Sequence, residues 1–219
     1  IKRAIFAALE EVIGDDTIVA SSTSGLIMSD LQQGLRLPGR FAIGHPFNPP
    51  HLIPLVEVVG GEATSLQAID QAMQFYAGIG KKPIHIRREV KGHVANRLQA
   101  ALWREAIYLV QEGVASVSDI DAAIAHGPGL RWALLGPFLN MHLSGGAGGM
   151  DHFLEHLGPP IEDWWADLGT VTLTPELNQT LVQQVNEAIG AGDMARIVAQ
   201  RDAVLLELLR LKAAHDRLP

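Results

Sequence analysis

The change of sequence pattern near residue 90 limits what this chain can fold into. Before it, short β-branched runs alternate with helical periodicity; after it, only helical periodicity continues. Thr17-Ile18-Val19-Ala20, Arg40-Phe41-Ala42-Ile43-Gly44, Leu55 to Val59 and Pro83 to Ile86 read as strands bounded by Gly, Pro or Ser. Residues 1–13 repeat apolar side chains at helical spacing, and Gly14-Asp15-Asp16 ends that run. A short helix is predicted to reach about Gln33, capped by Ser24 or Ser29, and a longer one to run from Thr64, its N-cap, to Gly78. Strands alternating with helices predict an α/β layer with a largely parallel sheet.

The second half reads as all-α. Helices are expected from His93 to Glu112, from a Ser118 cap to about Ala125, over 137–143 and 148–157, and over Pro175–Ile189 and Asp193–His215. The expected domains are residues 1–90 and 91–219.

A chain of 219 residues is long enough to bury a core, and 47% hydrophobic against 19% charged residues is the balance of a globular protein rather than a disordered one. The net charge of -7 argues against nucleic acid as a partner, because phosphate binding needs a basic face. No apolar stretch approaches the roughly 18 residues of a membrane span, so no membrane partner is expected. The absence of cysteine removes disulfide and thiolate chemistry and fits a cytoplasmic setting. The chain opens at Ile1 inside an amphipathic repeat, without methionine or cap, so it is expected to be part of a longer protein.

One charge stands out. Glu57 interrupts the apolar run Leu55-Val56-Glu57-Val58-Val59, and a buried carboxylate must be paired or protonated. His45 lies shortly before it, at the end of a predicted strand. Pro46, Pro49, Pro50 and Pro54 stiffen the connection, so strand ends lying side by side would hold the pair in one geometry. A carboxylate that fixes the tautomer of an imidazole makes a general base; a buried His–Glu hydrogen bond without chemistry is the alternative. Ser24 follows a strand, where α/β sheets place ligands, Asn48 is near His45, and Asn96 opens a long helix at the domain boundary. A hydroxyl, two amides and a His–Glu pair suit holding an alcohol or carbonyl oxygen while a proton moves.

Other motifs weigh less. Gly145-Gly146-Ala147-Gly148-Gly149 resembles a phosphate loop but follows a helix and lacks a Lys-Ser or Lys-Thr, so it reads as a link. His152-Phe153-Leu154-Glu155-His156 matches an inverted zinc-protease pattern and keeps a zinc hydrolase as a remote alternative; no resident metal is expected. Lys81-Lys82, Arg87-Arg88 and Lys91 read first as solvated surface, with a place beside a ligand's phosphates as the alternative.

Ser21-Ser22-Thr23-Ser24, His45-Pro46-Phe47-Asn48-Pro49, Leu55-Val56-Glu57-Val58, Asn96-Arg97-Leu98 and Gly136-Pro137-Phe138 together resemble the NAD-dependent 3-hydroxyacyl-CoA dehydrogenase superfamily in order and spacing. The resemblance implies a partial Rossmann-type domain followed by a helical domain that forms a homodimer. It implies NAD-dependent oxidation of a 3-hydroxy acid, with His45 as base, Glu57 orienting it, Ser24 and Asn96 on the reacting oxygen, Asn48 lining the site and Ser22 near the cofactor. Residues 129–138 depart from the acyl-CoA enzymes and are similar to the branch acting on small free acids, which includes L-carnitine and L-gulonate dehydrogenases. Arg131 suits a free carboxylate, with a structural role as the alternative; Trp103 and Trp132 offer faces for a quaternary ammonium, while Trp164 and Trp165 read as core or interface packing. A 3-hydroxyacyl-CoA substrate is the alternative. The glycine-rich nucleotide fingerprint and the ribose-binding acid of the family are absent from these residues, so this stretch alone is not expected to bind NAD normally, and activity is expected of the parent protein.

Overall fold

The computed structural model describes all residues except 191, 192, 216, 217 and 219. The chain forms two compact units, residues 1–100 and 101–219.

In the first unit the elements run α1 (Lys2–Glu10), β1 (Val19–Ser21), α2 (Met28–Leu31), β2 (Phe41–Pro46), β3 (Leu55–Gly60), α3 (Leu66–Gly78), β4 (Lys82–Ile86) and the start of α4 (Ala95–Gln111). The four strands form one sheet in chain order. β1 and β2 are parallel, β2 and β3 antiparallel, β3 and β4 parallel. The sheet is therefore largely parallel, as expected, with one antiparallel pairing, between β2 and β3. Residues 47–54 hold no helix, and a parallel crossover takes about a dozen residues or more, so β3 can only turn back beside β2.

Alternation along the strands sorts side chains between two faces. Phe41 and Ile43 of β2 join Val59, Ile86, Met28, Leu31 and Phe6 of α1 in one buried cluster. Ala42, Val56 and Val58 meet Ile69 and Ala72 of α3 in another, with Met73 and Tyr76 against it. By the same parity His45 and Glu57 fall on the face of Phe41, Ile43 and Val59.

The predicted caps need correction. α2 has Ile27 at its N-cap and no side-chain cap. The Ser29 hydroxyl instead donates to Glu89 and accepts the Glu62 N–H at 2.8 Å. α3 is capped by Ser65, which accepts from Ala68 N at 3.1 Å, rather than by Thr64. Thr64 Oγ1 donates to the Phe41 carbonyl at 2.6 Å and accepts the Gly61 N–H at 2.8 Å, so it ties the turn after β3 to β2.

Among its described residues the second unit holds helices and connections but no strand. It holds the rest of α4, then α5 (Val117–His126), α6 (Pro128–Trp132), α7 (Pro137–Ser144), α8 (Gly149–Asp167), α9 (Pro175–Ile189) and α10 (Met194–Ala213). α5 is capped by Ser116 in a reciprocal box with Asp119, two residues before the expected Ser118. α8 runs ten residues past its expected end, through Pro159 and Pro160. α7 packs on α8, and α5 on α6 and α9. The Val117 N–H donates to Gln184 of α9 at 3.0 Å, and Lys212 of α10 donates to the Ala133 carbonyl at 3.1 Å. No helix among the described residues is long and apolar enough to cross a membrane.

Candidate active site

His45 and Glu57 face one another in the β2–β3 register. His45 Nδ1 lies 2.8 Å from Glu57 Oε2, with the His45 ring nearly buried and Glu57 fully so. Adjacent antiparallel strands bring directly opposed side chains together, so the ladder makes this pair. The other carboxylate oxygen, Oε1, accepts the Val94 and Ala95 N–H groups at 2.9 Å each. These are donors at the start of α4, where free N–H groups and the positive end of the helix dipole favour an anion. Three donors on one buried carboxylate answer the burial problem that the sequence raises.

This arrangement sets the imidazole tautomer. An ionised carboxylate only accepts, so Nδ1–H donates to Glu57 and Nε2 keeps a lone pair. Nε2 lies 3.1 Å from Ser24 Oγ, whose hydroxyl donates to it. Ser24 stands exposed on the loop after β1, so the basic nitrogen points to an accessible position. Phe47 meets the His45 ring edge-on, with centroids 6.5 Å apart.

The remaining predicted residues divide. Asn96 follows Ala95 in the first turn of α4 and is half-buried; among the described residues its side chain makes no hydrogen bond to His45, Glu57 or Ser24. Ser22 and Asn48 are exposed on the loops after β1 and β2. Arg131 is exposed on α6 of the second unit, beside Trp132. His152, Glu155 and His156 lie exposed on α8 with ligand atoms within 4.8 Å of one another, and His156 Nδ1 donates to the His152 carbonyl at 3.1 Å.

One residue escaped the sequence. His93, read there as the start of a helix, precedes α4 instead, with φ 53° after Gly92 at φ 82°. Its ring is buried and lies 5.1 Å from that of His45. The signal that could have found it is a histidine after a glycine at the boundary between the two sequence regimes.

Comparison with known proteins agrees with this architecture. The family model for the 3-hydroxyacyl-CoA dehydrogenase NAD binding domain matches residues 1–90, and that for the C-terminal domain of the same family matches 92–171. L-carnitine dehydrogenase of Streptomyces griseus is 48% identical over 100% of this chain and 64% of its own length. L-carnitine dehydrogenase of Oceanobacillus iheyensis is 41% identical over 96% of this chain and 69% of its own. The chain thus spans about two thirds of the length of these curated relatives. Among solved structures, 5-formyl-3-hydroxy-2-methylpyridine 4-carboxylic acid 5-dehydrogenase, described as an NAD+ dependent dismutase, superposes with a TM-score of 0.80 at 28% identity, covering 97% of this chain and 69% of that one. The Escherichia coli 3-hydroxybutyryl-CoA dehydrogenase gives 0.54 at 30% identity over 65% of this chain and 29% of that one. The matched domains and these relatives place the chain in the 3-hydroxyacyl-CoA dehydrogenase family.

Proposed function

We propose that the protein carrying this chain oxidises the hydroxyl of a small free 3-hydroxy acid of the carnitine type, using NAD. The observation that carries the reading is His45 Nε2, made an acceptor by the Glu57 bond at Nδ1 and faced by the Ser24 hydroxyl. His45 Nε2 takes the proton of the substrate hydroxyl while its C–H bond breaks. Glu57 keeps the ring in the reactive tautomer and presents its negative charge to the imidazolium that forms. When substrate binds, the Ser24 hydroxyl gives up the Nε2 lone pair and, with Asn96, hydrogen-bonds the reacting oxygen, while Asn48 lines the site.

NAD, when bound, supplies the hydride acceptor. The donors in this chain suit its nicotinamide end, where the exposed Ser22 side chain beside Ser24 can meet a carboxamide. They do not suit its pyrophosphate, which needs a glycine-rich turn between a strand and a helix; the glycine run 145–149 lies between α7 and α8. Ser22 and its loop would therefore hold the nicotinamide end only.

Arg131 gives a free carboxylate a two-pronged partner, and the open faces of Trp103 and Trp132 suit a quaternary ammonium. The second unit supports a homodimer: among its described residues Val110, Phe153 and Leu177 are the buried large apolar side chains, while Leu130, Phe138, Leu143, Leu154, Trp164 and Trp165 are exposed. A cytoplasmic setting supplies the NAD pool that the reaction draws on.

The test is NADH formation by the full-length protein with L-carnitine, L-gulonate, 3-hydroxybutyrate and 3-hydroxybutyryl-CoA side by side. Turnover of a free acid that Arg131→Met weakens through KM supports the reading. Turnover of the thioester alone overturns the substrate class, and no turnover of any of the four overturns the reaction.

A further inference from the structure

His93 is the one buried histidine beside His45 to which the proposed reaction gives no task. Its Nε2 lies 3.2 Å from the Thr23 carbonyl. A carbonyl oxygen only accepts, so Nε2 carries the proton and donates. Nδ1 is then a bare acceptor, and it has no hydrogen-bond partner among the described residues although the ring is only 3% exposed. A residue present merely to fill this space would be apolar, because an orphaned acceptor in a buried ring is a cost that packing alone does not recover. The backbone carries a second cost, since φ 53° is a left-handed conformation that a side chain with a Cβ seldom adopts.

The surroundings explain both features. The Thr23 carbonyl belongs to the residue just before Ser24, and the Ser24 hydroxyl faces His45 Nε2 at 3.1 Å. The two residues just after His93 are Val94 and Ala95, whose N–H groups hold Glu57. The left-handed turn at 92–93 sends the ring toward Thr23 and the next two N–H groups toward Glu57. One three-residue stretch thereby anchors both neighbours of His45: the carboxylate at Nδ1 through backbone, and the hydroxyl at Nε2 through the His93 side chain. Within the loop itself the Leu26 N–H donates to Thr23 Oγ1 at 3.3 Å.

We propose that His93 is a positioning residue, whose Nε2–H holds the Thr23 carbonyl and so sets the Ser24 hydroxyl against the basic nitrogen of His45. The proposal rests on the dehydrogenase reading above for its kinetic consequence, but the positioning itself has a readout that needs no turnover.

His93→Met and His93→Gln form a matched pair in the full-length protein. Both side chains have similar length and volume; only glutamine keeps an N–H near the position of Nε2. His93→Met is expected to lower kcat about 10- to 100-fold, as a displaced catalytic group does. KM for the hydroxy acid stays within about twofold, since the Ser24 bond to the reacting oxygen matters most as negative charge develops on that oxygen in the transition state. His93→Gln recovers most of the loss, and adding His93→Met to Ser24→Ala costs nothing further, because both changes remove the same hydroxyl contact. Independently of turnover, the nitrogen NMR resonance of His45 Nε2 should move in His93→Met as it does in Ser24→Ala, and stay near its original position in His93→Gln. Equal behaviour of the Met and Gln variants, additive losses with Ser24→Ala, or an unmoved His45 resonance in His93→Met would overturn the proposal. A wild-type protein that turns over no hydroxy acid sinks the dehydrogenase reading instead, and the NMR comparison then decides the role of His93 on its own.

Discussion

The Ala95 N–H donates to Glu57 Oε1 at 2.9 Å, which binds the first turn of α4 to the carboxylate that holds the His45 ring. Glu57 therefore couples the middle of β3, the opposing strand β2 and the start of α4. Its replacement should be felt both in stability and in the protonation pattern of the imidazole.

Glu57→Gln separates those two effects. The amide oxygen still accepts from Val94 and Ala95, but the amide nitrogen then faces His45 Nδ1 and turns that atom into an acceptor. The ring proton moves to Nε2, and the base loses its lone pair. We expect kcat to fall about 100- to 10,000-fold with the fold intact, the range of a lost general base. NMR of the imidazole nitrogens should report the switched tautomer. Glu57→Ala additionally orphans the two N–H groups and should cost about 1–3 kcal/mol for each one left buried and unpaired, measurable by denaturant unfolding.

Gly44 precedes His45 on β2, and a Cβ built there falls inside the Tyr76 phenol of α3. Gly44→Ala is expected to lower stability by about 1–3 kcal/mol through overpacking. The loss should shrink when Tyr76 is also shortened, in Gly44→Ala/Tyr76→Val, because the two residues are in contact. Thermal unfolding of the single and double variants measures this, and full additivity would rule the clash out.

Glu10 gives the fold an acid-sensitive tie. Burial pushes its carboxyl upward, but the Arg36 and Leu37 N–H groups and the charges of Arg40 and Arg36 outweigh that, so it titrates below an ordinary glutamate. Both N–H groups donate to it at 2.8 Å, and Arg40 stands at 3.8 Å. A folded value below the unfolded one stabilises fully above the ordinary glutamate range and is lost as pH falls through the lowered value. Glu10→Gln should be less stable at neutral pH and should lose less stability as pH falls from the ordinary glutamate range through the lowered value of Glu10. Denaturant midpoints across that range test it; parallel curves would contradict the tie.

Thr64 and Ser65 should behave differently although they are neighbours. Ser65→Ala removes a helix cap and should cost about 1 kcal/mol. Thr64→Val strips the Gly61 N–H, the Phe41 carbonyl and Gln32 Nε2 of a shared partner and should cost about 2–3 kcal/mol. The order of the two midpoints in denaturant is the measurement.

Much of this is legible in the sequence. Apolar and β-branched runs bounded by Gly, Pro or Ser marked the four strands to within a few residues; for β2 and β3 the reason is burial on both faces, which leaves a run of apolar side chains with few competing explanations. Pro175–Ile189 was readable at both ends, since Thr174 caps it, proline opens it and Gly190 follows it. Cap positions at Thr64 and Ser118 were misplaced by one and two residues, because Ser and Thr clusters offer several hydroxyls and only the path of the chain selects one. The continuation of α8 through Pro159 and Pro160 was hidden, because a proline inside a helical pattern reads as a stop.

The sequence by itself determined the residue kit and the division into α/β and helical regimes: a carboxylate set in an apolar strand, a histidine before a proline-rich connection, and small polar residues after a strand. Only the tertiary structure decided how the kit is joined. It turned β3 antiparallel to β2, which put His45 opposite Glu57, and it brought the start of α4 onto the carboxylate from 37 and 38 residues away. It also bent the chain at Gly92 and His93 so that a second imidazole reached the Thr23 carbonyl, 70 residues earlier in the chain. Periodicity records which face of an element is buried, whereas hydrogen bonds between distant segments depend on how those faces pack.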